Sequence, residues 1–319
     1  MNRIGVLSSG GDSPGMNAAI RAVVRFGIQK GLEVYGIKRG FEGLIDGDME
    51  QMNVSSVADI IHRGGTMLGT ARSQRFVTPE GFARAMAMLD TFKIDGLVVI
   101  GGDGSLKGAD CLSRAGVKVM VLPGTIDNDL AYTDFTIGFD TAVNTALSTI
   151  SNIRDTSSSH GRTTIIEVMG RECGDIALYA GLAGGAETIL IPEIELDIPA
   201  ICRKLLIGKN RGKRHSVIIK AEGVPIDVGE LAAELEKKTG METKKVVLGY
   251  IQRGGSPTAR DRLLASRTAC RAVELLVADS ESRAIGIRGD EIISMDFESA
   301  FKTEKLTHFE FLDMCDVLG

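Results

Sequence analysis

The sequence predicts an α/β fold with mainly parallel sheets covered by helices on both faces. Three observations predict it. Short β-branched runs alternate with helical patterns along the whole chain. The 39 glycines among 319 residues exceed ordinary usage, as many tight strand–helix turns require. There is no tryptophan and only 5% aromatic residues, so the core must be aliphatic.

The elements follow in order. Ile4–Leu7 reads as a strand. Met16–Gln29 reads as a helix, because Met16, Ile20, Val23, Val24 and Ile28 keep helical spacing. Leu97–Ile100 is a strand, followed by a helix containing Leu106, Ala109 and Leu112. Val117–Leu122 is a strand leading into an acidic loop. Phe139–Ile153 is helical, with Phe139, Val143, Leu147 and Ile150 on one face. Thr163–Met169, Ile189–Ile191, Val217–Ala221 and Val246–Ile251 read as strands, and Val228–Lys238 as a charged amphipathic helix. Thr258–Ala278 is a long helix, and Ile285–Ile287 and Ile292–Met295 are short strands. The length suits two domains or one large unit. No Pro/Ser-rich linker intervenes, so we place a boundary near Gly138. Ligands of such sheets bind beyond the carboxyl ends of the strands.

Composition excludes several classes. A net charge of −5 argues against general nucleic-acid binding. No 18-residue apolar run suggests a membrane span, and the N-terminus reads as a strand rather than a leader. Five scattered cysteines without a CxxC fit free thiols in a reducing cytoplasm. The four histidines are unclustered and form no zinc spacing.

The strand Val98–Ile100 ends in Gly101-Gly102-Asp103-Gly104-Ser105 before a helix. Glycines there admit a polyphosphate to backbone N–H groups at a helix N-terminus. Asp103 does not suit a bare anion but suits the Mg²⁺ that accompanies one. Pro123-Gly124-Thr125-Ile126-Asp127-Asn128-Asp129 follows the next strand. Alone it is an Asx-type turn. Beside Asp103 it points to phosphoryl transfer, with a carboxylate to orient and deprotonate a hydroxyl. Ser8–Gly15, with Gly10 and Gly11, lacks the Walker A lysine and the dinucleotide glycine spacing. Taken singly it is a tight turn; a second glycine loop makes it a phosphoryl cradle. Arg63, Arg72, Arg162, Arg171 and Arg253 sit beside glycines at strand ends or turns, where a guanidinium can grip phosphate in two-pronged fashion. Arg21 and Arg25, four apart on one helix, pair with Arg154 and the run Arg211-Gly212-Lys213-Arg214 as a second anion site. A solvated surface is the alternative for each.

Together, Gly10-Gly11-Asp12, Gly101–Ser105, Pro123–Asp129, Met169-Gly170-Arg171 and Gln252-Arg253-Gly254-Gly255-Ser256-Pro257 resemble the bacterial 6-phosphofructokinase family, from Ile4 to Ala278. The resemblance implies two three-layer α/β domains with the active site in the cleft between them: residues 1–138 plus 252–305, and 139–251 plus 306–319. It implies a cytoplasmic, glycolytic homotetramer that transfers a phosphoryl group from ATP to fructose 6-phosphate with Mg²⁺. Asp127 is then the base, supported by Asp129 and Thr125. Asp103 places the metal. Gly11, Arg72 and Arg171 meet the transferring group, and Ser73, Gly102, Asp103, Gly104, Ser105 and Gly108 line the nucleotide. Thr125, Arg162, Met169, Gly170, Arg171, Glu222, Lys244, Tyr250 and Arg253 hold the sugar phosphate, with Arg162 and Lys244 reaching in from a neighbouring subunit. Arg21, Arg25, Asp59, Arg154, Gly185, Glu187, Arg211 and Lys213 form an effector site for ADP or phosphoenolpyruvate.

Pyrophosphate-using members of the family carry Asp at the position of Gly104 and Lys at that of Gly124, so glycine at both favours ATP. A catalytically silent sugar-phosphate or nucleotide sensor is the other alternative. The chain departs from the family at Lys244 and Tyr250, usually Arg and His, which predicts weaker sugar-phosphate binding. It also departs at Val77 and Phe82 near the nucleotide, and at Val54 in the effector site, all usually Arg.

Overall fold

The computed structural model describes all 319 residues, which separate into two compact units. The first comprises Met1–Thr141 and Arg253–Lys305; the second comprises Ala142–Gln252 and Leu306–Gly319.

Before the first crossing, the first unit contains β1 (Arg3–Ser8), α1 (Met16–Gln29), β2 (Glu33–Ile37), α2 (Gly40–Asp46), β3 (Met49–Met52), α3 (Pro79–Phe92), β4 (Gly96–Gly101), α4 (Asp103–Arg114), β5 (Lys118–Thr125) and β6 (Ile137–Gly138). The helix α5 (Phe139–His160) carries the chain into the second unit, which holds β7 (Thr163–Val168), α6 (Asp175–Ala183), β8 (Thr188–Leu190), α7 (Ile198–Asn210), β9 (Ser216–Ala221), α8 (Val228–Thr239) and β10 (Thr243–Val247). After the return come α9 (Ala259–Val277), β11 (Arg283–Arg288), β12 (Glu291–Met295) and α10 (Phe297–Lys302), and finally α11 (Glu310–Leu318).

The first sheet runs β12-β11-β5-β4-β1-β2-β3, with β6 also on β5. Its central pairs are parallel, whereas the edge strands β3 and β12 are antiparallel, β12 returning directly from β11 and β3 returning from β2 after α2. Both faces are buried, and alternate residues serve opposite cores. Val98, Ile100, Met120 and Leu122 join the layer with α1 and α9. Leu97, Val99, Val119 and Val121 join the layer with α2, α3 and α4. This is why these strands read as continuous apolar runs.

Side chains fix several helix starts. Thr78 accepts from the Gly81 amide before Pro79, and Thr258 accepts from the Asp261 amide. Asp261 is itself buried and accepts from the amides of Gly138 (2.9 Å) and Thr141 (2.8 Å) and from the Thr141 hydroxyl (2.5 Å). Burial outweighs these bonds and pushes its carboxyl up to about 6.

The second sheet, β10-β7-β9-β8, is entirely parallel. Ile165 and Ile218 pack against Ile201 and Leu205 of α7 and Leu231 and Leu235 of α8. The sequence reading names no element at β2, β3, α2, α3, α6, α7, α10 or α11, and two that it does name differ in extent. The strand expected at Val246–Ile251 is β10, Thr243–Val247, followed by a 3-10 turn over Gly249–Arg253. Lysines on an exposed edge strand hide its start, and Gly249, at φ +55°, ends its extended course. Helix α5 continues seven residues beyond Ile153 to His160, through a polar run without apolar spacing. No helix is long and apolar enough to cross a membrane, and all five cysteines are free thiols.

Candidate active site

The first unit gathers three loops at one edge of its sheet. β1, β4 and β5 are neighbours and parallel, with Ser8 opposite Ile100 and Gly101 opposite Pro123. Their following loops, Ser9–Asp12, Gly102–Ser105 and Ile126–Asp129, therefore leave together.

These loops interlock. The Ser9 amide donates to Ile100 O at 2.9 Å, and the Ser105 hydroxyl donates to Ser9 O at 3.2 Å. A Cβ on Gly101 would lie 2.2 Å from that hydroxyl and 2.6 Å from Ser9 O, so only glycine fits. A Cβ on Gly102 would touch Thr125 at 3.5 Å, which places the second glycine loop directly beside the acidic loop. The segment Thr70–Arg72 closes a further side: Thr70 Oγ1 donates to Gly10 O at 2.9 Å, and the Gly10 amide to Ala71 O at 3.3 Å. Arg72 is exposed beside it. Arg253 completes the group. Its Nη1 donates to Asp12 O at 3.3 Å and lies 2.5 Å from where a Gly11 Cβ would stand.

Asp127 is buried, and its amide donates to Thr125 Oγ1 at 3.1 Å. Asn128 supports the turn. It accepts the Thr136 amide at 3.0 Å and donates to Asp134 O at 3.1 Å, while the Thr136 hydroxyl donates to Thr125 O at 2.7 Å. Asn128 and Thr136 were not anticipated from sequence; the asparagine between two aspartates was the available signal.

Asp103 opens α4 with its side chain 44% exposed, paired with Lys107 Nζ at 2.7 Å. No three His, Cys, Asp or Glu side chains are grouped to cage a metal. One reachable carboxylate nonetheless fits Mg²⁺, which keeps several waters and takes one or two carboxylates plus phosphate oxygens.

The remaining residues expected to line the nucleotide divide. Gly104 faces open space, with nothing within 4 Å of a Cβ placed there. A Cβ on Gly124 would meet Ile100 at 2.8 Å and Gly101 N at 3.1 Å. A Cβ on Gly108 would strike the Phe41 ring at 2.8 Å, so this glycine also serves packing. Ser73 is hydrogen-bonded to Glu42 and accepts the Phe76 amide at 3.0 Å, which makes it part of the loop's own scaffold. Val77 is exposed, whereas Phe82 packs edge-on to Phe76.

In the second unit the expected sugar-phosphate residues fall at opposite ends of the sheet. Met169, Gly170, Arg171 and Glu222 follow the carboxyl ends of β7 and β9. Glu222 Oε1 accepts the amides of Gly170 (3.2 Å) and Arg171 (2.8 Å). Gln252, not anticipated from sequence, accepts the Met169 amide at 3.3 Å. Tyr250 is 82% exposed on the nearby 3-10 turn. Arg162 and Lys244 lie instead at the amino ends of β7 and β10, where Lys244 pairs with Thr164 in register. Lys244 Nζ binds Glu242 at 2.9 Å, and both Lys244 and Arg162 hold the Glu242 carboxyl below its usual range, Lys244 more strongly. The length of β7 separates the two groups by roughly 16 Å. One chain does not bring them together.

The expected effector residues also divide. Arg154 donates to Gly184 O at 2.7 Å and to Gly185 O, and its Nη1 stands 3.8 Å from Glu187. Lys213 meets the same buried carboxylate at 2.8 Å. Arg211 is exposed nearby in sequence, at the C-cap of α7. Arg21 and Arg25 lie on α1 of the first unit, as does the 3-10 turn Ser55–Val57 that packs on α1, with Val54 and Asp59 exposed at its flanks.

Comparison with known proteins bears on this arrangement. Residues 3–276 match the family model described as Phosphofructokinase. An ATP-dependent 6-phosphofructokinase from Alkaliphilus metalliredigens is 61% identical over 321 residues, covering 100% of both chains. The structure of phosphofructokinase from Saccharomyces cerevisiae is 37% identical with a TM-score of 0.89. That match covers 95% of this chain and 45% of the yeast chain, so the present chain spans less than half its length. A pyrophosphate-dependent phosphofructokinase from Marinobacter aquaeolei shares the fold, with a TM-score of 0.86 at 23% identity, covering 97% of this chain and 86% of that one.

Proposed function

From the premise that this chain belongs to the phosphofructokinase family, we propose that it transfers the γ-phosphoryl group of ATP to the 1-hydroxyl of fructose 6-phosphate, giving fructose 1,6-bisphosphate and ADP. The observation that carries this reading is the adjacency of the Gly101–Ser105 and Thr125–Asp129 loops on neighbouring parallel strands. Asp127 accepts the proton of the attacking hydroxyl, with Asp129 and Thr125 supporting it. Oxygen attacks phosphorus as the bond to the ADP oxygen breaks. The Gly11 amide, Arg72 and Arg171 stabilise charge on the transferring group, whose loose transition state makes positioning and neutralisation the main demands. Mg²⁺, held through Asp103 and the nucleotide's phosphates, supplies further neutralisation when bound.

ATP is favoured over pyrophosphate by chemistry rather than fold, since proteins named for either donor share the architecture. Gly104 leaves open the space where an aspartate would repel the α-phosphate, and the Gly124 position is too crowded for lysine. Placement of Arg162 and Lys244 away from Glu222 supports a homo-oligomer, a tetramer by the family pattern, in which a second copy supplies them. Arg154, Glu187 and Lys213 support an anionic effector such as ADP or phosphoenolpyruvate. Free thiols support a cytoplasmic setting.

The test is initial velocity against fructose 6-phosphate with saturating MgATP, then with pyrophosphate, each with and without ADP. Turnover with ATP alone is expected. Equal or better turnover with pyrophosphate would overturn the donor assignment, and binding of both ligands without product would favour the silent sensor.

A further inference from the structure

The 3-10 turn Gly249–Arg253 turns two of its side chains outward: Tyr250 is 82% and Ile251 55% exposed. Gln252 between them and Arg253 is fully buried, at 0%. Its amide is used in both senses. Oε1 accepts the Met169 amide at 3.3 Å, and Nε2 donates to Gly249 O at 3.1 Å. Flipping the amide would set donor against donor and acceptor against acceptor, so one orientation is specified.

The turn that it holds is costly. Gly170 and Arg171 are consecutive residues with positive φ, +140° and +52°. Arg171 is a poor residue for that conformation, which persists only where the surroundings over-determine it. A side chain at Gly170 would meet Cys173 O at 2.3 Å. Three consecutive amides are fixed by two side chains: Met169 by Gln252, and Gly170 and Arg171 by Glu222.

We propose that Gln252 is a positioning residue for sugar-phosphate binding. Its buried amide ties the Met169–Arg171 turn to the Gly249–Arg253 turn, so that the two present their groups to the sugar phosphate in fixed register. The inference rests on the reading of that turn as the sugar-phosphate site. A general packing role would make Gln252 matter to stability alone; the two-way hydrogen bonding predicts a selective effect on one substrate.

The test uses Gln252→Met, which keeps the shape and loses both bonds, and Gln252→Glu, which keeps the acceptor for Met169 and lacks the donor to Gly249 O when ionised. Loss of the buried bonds should raise KM for fructose 6-phosphate about tenfold in Gln252→Met. KM for ATP should stay within about twofold, whereas kcat should fall together with sugar-phosphate affinity, because Arg171 of the same turn also meets the transferring group. The Gln252→Glu deficit relative to wild type should shrink between pH 8 and pH 6, as protonation restores a donor. Amide hydrogen exchange at Met169–Arg171 should speed up in Gln252→Met, a readout that needs no activity. Faster exchange in a chain whose wild type does not turn over fructose 6-phosphate would sink the activity reading and keep the positioning role. An active wild type with unchanged exchange, or with KM rising equally for both substrates, would overturn the positioning role.

Discussion

The two sheets use their ends differently. In the first unit, β1, β4 and β5 all deliver their loops at the carboxyl edge, where glycines let backbone approach backbone and Ser105, Thr70 and Arg253 lace the loops together. In the second, polar residues occupy both ends: Glu222 and Gln252 fix one turn, while Arg162 and Lys244 stand a strand's length away. The first arrangement gathers within one unit the loops expected to serve phosphoryl transfer. The second separates the residues expected to hold the sugar phosphate into two groups. Regular parallel topology makes the first outcome natural, since all its strands point their carboxyl ends the same way.

The contrast breaks first at Asp127. Replacing it with serine should lower kcat on the order of 10²–10⁴-fold while sugar-phosphate binding persists. Near-normal turnover in steady-state kinetics would remove the base from the first unit and leave the loops as structure only.

Next in size is Asp261, the buried carboxylate that ties Gly138 and Thr141 to α9. Its folded value of about 6 lies above the ordinary value of 3.8, so the folded state binds the proton more tightly. Its contribution to stability is full below about pH 4 and is lost as pH rises through about 6, a difference of about 3 kcal/mol. In Asp261→Asn the decline in stability over that window should flatten, as followed by denaturant unfolding at several pH values. An unchanged profile would mean that the group does not titrate there.

Gly104→Asp sharpens the donor assignment. The space is open, so melting temperature should hold, while repulsion of the polyphosphate raises KM for ATP about tenfold. Loss of fold instead would show the position to be structural. The smallest effect is expected at the far end of the second sheet. Lys244→Arg should restore a two-pronged grip and lower KM for fructose 6-phosphate about two- to fivefold, the range of an exposed pair. No change would argue that Lys244 does not meet the substrate in any assembly.

Much of the architecture was legible in the residues. Met16–Gln29 is a helix over the range its apolar spacing specifies, and the buried strands β4 and β5 announce themselves as apolar runs. Less legible was β10, whose charged residues line an exposed edge, and the polar second half of α5, where propensity and backbone bonding act without an apolar stripe. The glycine loops stood out because few residues let backbone approach other groups so closely, as at Gly101. Gln252 did not, because a glutamine's role depends on which distant amide it meets.

By itself, then, the chain's order of residues determined the alternation of strands and helices, the aliphatic core and the glycine and carboxylate types at strand ends, since these follow from local periodicity and side-chain chemistry. Only tertiary structure decided that Arg253 rests against Gly11, that Glu222 and the buried Gln252 accept the amides of a strained turn, and that Arg162 and Lys244 stand apart from them. Those are relations between residues tens to hundreds apart along the chain. They are set by strand order and register, which no local pattern encodes.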